Sequence, residues 1–305
     1  YAWSTDHLTG REDAILKRPE TDPLVFHTQT ATEYWVRRGS LVHTDTQGND
    51  LPQPATVRVY CWASSQHSAD PLLPGPQSGV GQNYSNNVAT SALFRAMMDA
   101  MDAWATHGTP PPDSRIPTRA AGTLVPFETW QAQFPTIPGT ATLAEPNPLP
   151  LLDFGPDAER GILREPPVLV GRNDQNAARG LTYTVLVPSV DDDGNDVPGV
   201  RAPMVAAPLG TYTGWNPRAR GYGHGIQYRF EGSYIPFPET TSERVATGDP
   251  RPAILERYAD KAAYVGAIVA AARELVAQGL LLEEDVQRAA EAAADWGRPR
   301  HTVTL

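Results

Sequence analysis

Two short apolar runs, each followed by a loop with one polar side chain, place the strongest constraint on the fold of this chain. Leu24–His27 is followed by Glu33, and Val57–Trp62 is followed by His67. Both runs are β-rich and apolar on two faces, which is typical of strands in a buried parallel sheet. Ligands and catalytic groups gather beyond the carboxyl ends of such strands. We therefore expect Glu33 and His67 to converge at one edge of a sheet.

The order of these two side chains indicates a chemistry. A carboxylate after one strand and a histidine after a later strand is the order of the last two members of a Ser–acid–His triad. Histidine suits proton transfer because its pKa lies near operating pH, and the carboxylate holds the imidazole in the required tautomer. The serine should lie upstream on a Gly-x-Ser-x-Gly turn, but Tyr1–Asp22 contain none.

Asp45 is a second candidate for the acid, because it also lies between the two runs. Glu33 is the preferred candidate because it is closer to the end of its strand. Its neighbours Thr32, Tyr34 and Trp35 are also large enough to shield it from water. Asp45 stands between two threonines in a stretch that is more typical of a turn, so the sequence leaves the choice of acid open.

Two other classes of function remain open at this point. His27, His43 and His67, together with the carboxylates of Glu33 and Asp45, could form the zinc site of a metal-dependent hydrolase. No His-x-x-x-His or comparable close spacing supports this interpretation. The other class is a non-catalytic binding or interaction module in which Glu33 and His67 only brace loops. The distance between the carboxylate and the imidazole distinguishes a catalytic site from a module.

Composition excludes several classes of partner. The chain has 305 residues and a net charge of −10, and its positive charge is nearly all arginine, with lysine only at Lys17 and Lys261. Without a basic cluster, we expect no nucleic-acid partner and no binding to an anionic membrane. No run is long and apolar enough to span a bilayer. Cys61 is the single cysteine, so no intrachain disulfide forms, and its apolar run predicts a buried thiol.

The rest of the chain divides into three stretches. Residues 1–110 hold the two apolar runs, a modest helical turn or two after Gly10, and a helix over 87–107 that Gly108 ends. Residues 111–240 are rich in proline and glycine. Their short strand-like runs are Gly122–Phe127, Val168–Gly171, Leu181–Val187 and Arg201–Leu209, and the chain turns at Asp191–Asp196.

Residues 241–305 are predicted to be helical. Asp249 is expected to cap a first helix that Gly279 ends, and Glu283 opens a second.

Several motifs together resemble a large bacterial family known as the "alpha/beta hydrolase domain" family. The resemblance runs from Asp6 to about Trp296. The motifs that carry it are Thr32-Glu33-Tyr34-Trp35, Leu41-Val42-His43-Thr44-Asp45, Asp50-Leu51-Pro52, Ser65-Gln66-His67 and Pro208-Leu-Gly-Thr-Tyr-Thr-Gly-Trp-Asn216.

This resemblance implies an α/β fold, namely the C-terminal part of an α/β-hydrolase. We expect a mostly parallel sheet with flanking helices, an appended region of loops and β-structure, and C-terminal helices. It implies hydrolysis of small-molecule carboxylic esters, without a metal or other cofactor, and assigns the acid to Glu33 and the base to His67. Family members carry the nucleophilic serine in an N-terminal half, often after a signal peptide. We therefore expect the chain to be a fragment of a bacterial protein that is inactive alone. The resemblance suggests a secreted or periplasmic protein, while the sequence itself leaves the compartment open.

Overall fold

A computed structural model describes residues 1–68, 79–146, 149, 151–170 and 182–295. Its helices are α1 (Ala31–Val36), α2 (Ser91–His107), α3 (Phe127–Gln133), α4 (Pro203–Ala206), α5 (Thr241–Thr247), α6 (Ile254–Arg257), α7 (Lys261–Ala277) and α8 (Glu283–Asp295). Its strands are β1 (Ser4–Thr5), β2 (Glu12–Asp13), β3 (Val25–Thr30), β4 (Val57–Trp62), β5 (Tyr84–Ser85), β6 (Leu124–Pro126), β7 (Leu151–Asp153), β8 (Val168–Val170), β9 (Leu186–Pro188), β10 (Gly210–Tyr212) and β11 (Ser233–Pro236). None of the helices within these ranges combines the length and the hydropathy of a membrane-spanning segment.

The two apolar runs form the predicted parallel strands. β3 pairs with β4 in register from Val25↔Val57 to Thr30↔Trp62. On its other side β4 is extended by two single parallel bridges, Tyr60↔Arg115 and Trp62↔Val200. Because paired parallel strands point the same way, β3 and β4 end at the same edge of the sheet. That edge is where the chain continues toward Glu33 and His67.

The remaining ladders of the described residues are antiparallel. They are β1–β2, β10–β11–β5, β6–β9 and β7–β8. The chain is therefore a mixed α/β structure, and the mostly parallel sheet is represented in the described part by β3–β4 and its two bridges. The larger extent of that sheet stays a prediction.

The buried core is shared by the three stretches that the sequence suggested. Tyr60, Trp62 and Leu93 from the first stretch pack with Tyr212 from the second and Leu280 from the third. The boundaries at 110 and 240 therefore stay predictions. In the structure, side chains from all three stretches pack in one common core.

A group of tryptophans fixes α1 beneath the edge of the parallel strands. The ring of Trp35 lies 4.7 Å from that of Trp130 and 6.0 Å from that of Trp215, measured between centroids. All three side chains are almost completely buried. Gly214 lets the chain approach the start of α1 closely, because a Cβ there would lie 2.5 Å from the carbonyl carbon of Ala31. Burial on this scale holds the helix, and with it Glu33, rigidly against the sheet.

Three local predictions before residue 241 were wrong. The turn or two of helix after Gly10 is absent, and the chain there forms the short strand β2 instead. The strand-like run Arg201–Leu209 contains the one-turn helix α4, which begins at Pro203, since proline at a first helical position has a suitable φ and lacks only an unneeded N–H. The segment after β3, expected as a loop, holds α1. By contrast, α2 is confirmed, although it begins at Ser91 rather than at residue 87, and the turn at Asp191–Asp196 is confirmed as well.

The first C-terminal helix does not begin at Asp249. The Asp249 carboxylate instead accepts hydrogen bonds from the backbone N–H and the guanidinium of Arg251. A short helix, α6, follows, and Tyr258 at its end is extended. A new helix, α7, then begins because Asp260 accepts a hydrogen bond from the N–H of Ala263 over 2.8 Å.

Parts of other predictions lie outside the described residues. These are positions 69–78 of the loop after His67, Gly171, Leu181 and the last ten residues of the chain.

Candidate active site

The turn from β3 into α1 places Glu33. Thr30 is the residue that caps α1, and Glu33 is three residues further on, the spacing of a capping box. Glu33 Oε2 accepts a hydrogen bond from the backbone N–H of Thr30 over 2.6 Å and another from the Thr30 hydroxyl. The carboxylate is therefore folded back over the first turn of the helix. This contact leaves its second oxygen, Oε1, free to face the neighbouring loop.

The loop after β4 places His67. Ser64 has a left-handed backbone, with φ of +55°, which turns the chain sharply after the strand. Two reciprocal hydrogen bonds hold this conformation: the N–H of Ser64 donates to Asp196 Oδ2 over 2.6 Å, and the N–H of Asp196 donates to Ser64 Oγ over 2.7 Å. Gln66 adds a third support, since its Oε1 accepts from the N–H of Gly232. His67 is thus presented by a bend that distant parts of the chain stabilise.

Glu33 and His67 meet. His67 Nδ1 donates to Glu33 Oε1 over 2.5 Å. Because an ionised carboxylate can only accept, this contact keeps the proton on Nδ1 and leaves Nε2 with its lone pair. The Glu33 side chain is 18% exposed and that of His67 is 52% exposed. The imidazole can therefore be reached by another group, while its carboxylate partner is largely shielded.

The Phe230 ring packs against the imidazole of His67. The centroids of the Phe230 and His67 rings lie 4.8 Å apart, and the ring planes make an angle of 33°. The backbone N–H of His67 also donates to the backbone carbonyl oxygen of Phe230 over 3.3 Å. The Arg37 guanidinium lies 4.8 Å from the centre of the Phe230 ring. The sequence did not identify Phe230 or Arg37. The sequence shows aromatic residues before Pro238, but it does not indicate which side chains they contact.

Asp196 is a buried carboxyl group behind the His67 loop, and it too was missed from sequence. Its side chain is almost fully buried, and burial raises its pKa to about 7. The N–H of Ser64 and the charge of Arg201 oppose this rise, while Asp191 adds to it. The site therefore rests on a second carboxyl group whose charge changes near neutral pH.

Asp45 is held in a turn. Its carboxylate accepts from the N–H of Gln47 and from both the N–H and the side-chain amide of Asn49. Burial alone would raise its pKa, but these hydrogen bonds outweigh that effect and lower it. This agrees with a turn residue, and no hydrogen bond links it to His67 within the described part of the chain.

The other two histidines near the strands have separate partners. His43 is buried, Tyr34 donates to its Nε2 over 2.8 Å, and burial lowers its pKa to about 4, so it is neutral. His27 Nδ1 lies 2.9 Å from the Tyr1 hydroxyl, and burial lowers its pKa. Among the described residues, no three His, Cys, Asp or Glu side chains lie close enough to hold a metal ion. Cys61 is fully buried, and burial raises the pKa of its thiol.

Comparison with known proteins gives a family. Residues 4–291 match the family model described as alpha/beta hydrolase domain. No curated protein and no solved structure matches the chain. The match covers nearly the whole chain, including both parallel strands, Glu33 and His67. The chain therefore belongs to the alpha/beta hydrolase domain family.

Proposed function

We propose that this chain supplies the acid and the base of a serine-type hydrolase that acts on carboxylic esters. The observation that carries the proposal is the contact between Glu33 Oε1 and His67 Nδ1, beyond the ends of two parallel strands. This arrangement gives the histidine the tautomer that a general base needs, with an accessible Nε2.

The proposed reaction uses His67 twice. As a serine hydroxyl attacks the ester carbonyl carbon, Nε2 takes the hydroxyl proton, and Glu33 stabilises the imidazolium that forms. The imidazolium then donates that proton to the leaving alcohol, which yields an acyl-serine. Water attacks the acyl group, His67 takes a proton from the water, and the carboxylic acid leaves as the serine regains its proton.

The nucleophilic serine is proposed to come from an N-terminal half that is not part of this sequence. None of the serines in the sequence occupies the centre of a Gly-x-Ser-x-Gly motif. Of the three serines nearest His67 in the chain, Ser64 and Ser65 are buried: Ser64 Oγ accepts from the N–H of Asp196, and Ser65 Oγ donates to the carbonyl of Trp62. Ser68 directly follows His67 and is exposed, but it lacks the flanking glycines of a Gly-x-Ser-x-Gly turn. This chain is expected to be inactive alone, and its substrate partner is a small ester.

The test uses the protein expressed from its complete gene, with p-nitrophenyl butyrate as substrate. His67→Ala should lower kcat by about three to five powers of ten, and Glu33→Gln should lower it less. His107→Ala is the matched control, because His107 is exposed at the end of α2. A fluorophosphonate should label one serine in the wild type. Turnover by His67→Ala close to that of the His107→Ala control would refute the assignment.

A further inference from the structure

A cavity of about 350 Å³ lies between α2, α4, α7 and α8, away from the candidate active site. Its walls are largely aliphatic. Leu93, Ile268 and Leu281 are at most 4% exposed, and Met204 and Ala289 complete the apolar surface. Neither Glu33 nor His67 lines this cavity. Its volume is in the range of pockets that hold small molecules.

Two arginines and one aspartate form the charged rim of the cavity. Arg95 donates to both carboxylate oxygens of Asp285, and Arg288 Nη1 donates to Asp285 Oδ1 over 2.8 Å. The Asp285 side chain is 1% exposed, whereas those of Arg95 and Arg288 are 41% and 56% exposed. Two guanidinium groups thus share one buried carboxylate. The ionic side chains that line the cavity carry one excess positive charge, and it faces solvent.

Glu284 is the other acid near this rim. It accepts from Arg288 Nη1 over 3.0 Å, but its side chain is 62% exposed and it does not line the cavity. An exposed pair of this kind, four residues apart on a helix, is weak and easily exchanged. The Nε and Nη2 groups of Arg288 have no hydrogen-bond acceptor among the described residues. A guanidinium with free donors in this geometry suits a bidentate carboxylate.

An unsatisfied polar atom also belongs to the cavity lining. The side-chain oxygen Oδ1 of Asn87 is buried and has no hydrogen-bond partner in the described part of the chain. A buried acceptor without a donor is costly, so we expect a water molecule in the cavity to donate to this oxygen.

From these observations we infer that the cavity binds an aliphatic carboxylate, with its chain among the leucine and isoleucine side chains and its head group on Arg95 and Arg288. The apolar lining provides the affinity for the chain, and the excess positive charge selects an acid over a neutral molecule of the same length. This inference is independent of the proposed hydrolysis, because it uses other residues.

Isothermal titration calorimetry of the protein expressed from its complete gene, with sodium decanoate below its micellar concentration, tests the inference. Wild type should bind one decanoate, and decan-1-ol should bind at least tenfold more weakly. Arg288→Gln should weaken decanoate binding about tenfold, since it removes a partly exposed charged donor. Ala292→Phe should abolish binding, because Ala292 lines the cavity and is exposed enough to accept the larger ring without disturbing the core.

Arg160→Gln is the matched control. Arg160 is an exposed arginine paired with an aspartate three residues away, but it lies outside the cavity. Its decanoate affinity should equal that of wild type. The inference is overturned if wild type does not bind decanoate at submillimolar concentration, if decan-1-ol binds equally well, or if Arg160→Gln weakens binding as much as Arg288→Gln. Circular dichroism of each variant confirms that it is folded before titration.

Discussion

Replacement of Asp196 by asparagine should change how stability depends on pH. Burial raises the pKa of this carboxyl group from 3.8 to about 7. Because the pKa is higher in the folded protein, the proton is bound more tightly there than in the unfolded chain. The resulting stabilisation is complete below about pH 4 and is lost as pH rises through about 7. A rise of about three pKa units corresponds to about 4 kcal/mol.

The measurement is urea unfolding of wild type and Asp196→Asn at intervals from pH 4 to pH 8. The amide keeps an oxygen that can accept from the N–H of Ser64 and cannot ionise. The difference in unfolding free energy between the two proteins should shift by about 2 to 4 kcal/mol in favour of the variant as pH rises. Titrating groups that do not interact with Asp196 cancel in this difference.

Asp192→Asn is the control for net charge. Asp192 lies in the same turn but is exposed, so its removal takes away one negative charge without changing a buried group. The Asp196→Asn difference should change with pH by clearly more than the Asp192→Asn difference, because only Asp196 is buried. If the two differences change with pH to the same extent, or if the Asp196→Asn difference shifts in favour of wild type as pH rises, then the buried carboxyl group does not have a raised pKa and the argument fails.

Three further predictions concern the scaffold of the site. Thr30→Val should lower kcat of the complete hydrolase about tenfold, and Thr30→Ser should keep it, because the hydroxyl holds the proposed acid; equal rates for both would contradict this. Gly214→Ala should lower the unfolding free energy by about 1 to 3 kcal/mol, because the added methyl group clashes with the start of α1. Gly266→Ala should raise the unfolding free energy by up to about 1 kcal/mol, because Gly266 faces open space on α7 and alanine favours a helix. Denaturant unfolding of the two variants compares these free energies. Arg251→Met should cost about 3 to 5 kcal/mol in the same assay, because it leaves Asp249 buried beside it without its partner, and an unchanged midpoint would argue against this pair as a support.

The sequence was sufficient for the parts of the site that follow the two strands. β-branched and aromatic residues in β3 and β4 predict extended chain, and their apolar faces predict burial. Because parallel strands end together, Glu33 and His67 were expected at one edge, and they lie in contact there. The recurrence of apolar residues every three or four positions also predicted α2, whose end at Gly108 has the left-handed backbone that a glycine adopts readily.

The supports of the site could not be read locally. Asp196 holds the His67 loop from 132 residues further along the chain than Ser64, and no sequence pattern connects the two. Phe230 reaches the imidazole in the same way, from an irregular aromatic segment. Such pairings depend on tertiary packing, which the period of a strand or helix does not encode.

Helix α1 is a different case, since its signal was present. Thr30 and Glu33 have the spacing of a capping box. The threonine, tyrosine, tryptophan and valine of this segment favour extended chain, so a helix was not predicted there. Packing of Trp35 against its aromatic neighbours overrides it. Asp249 was wrongly predicted to cap a helix. Its side chain suits that role, but its carboxylate pairs with Arg251 instead.

The carboxylate of Glu33 joins the start of a helix to an imidazole through one side chain, with one oxygen for each. Aspartate is shorter by one methylene group, so it could not span both partners from the same backbone position. The tight turn and the orientation of the ring therefore impose the same length requirement on residue 33. A change of acid there would have to be accompanied by a rebuilt backbone.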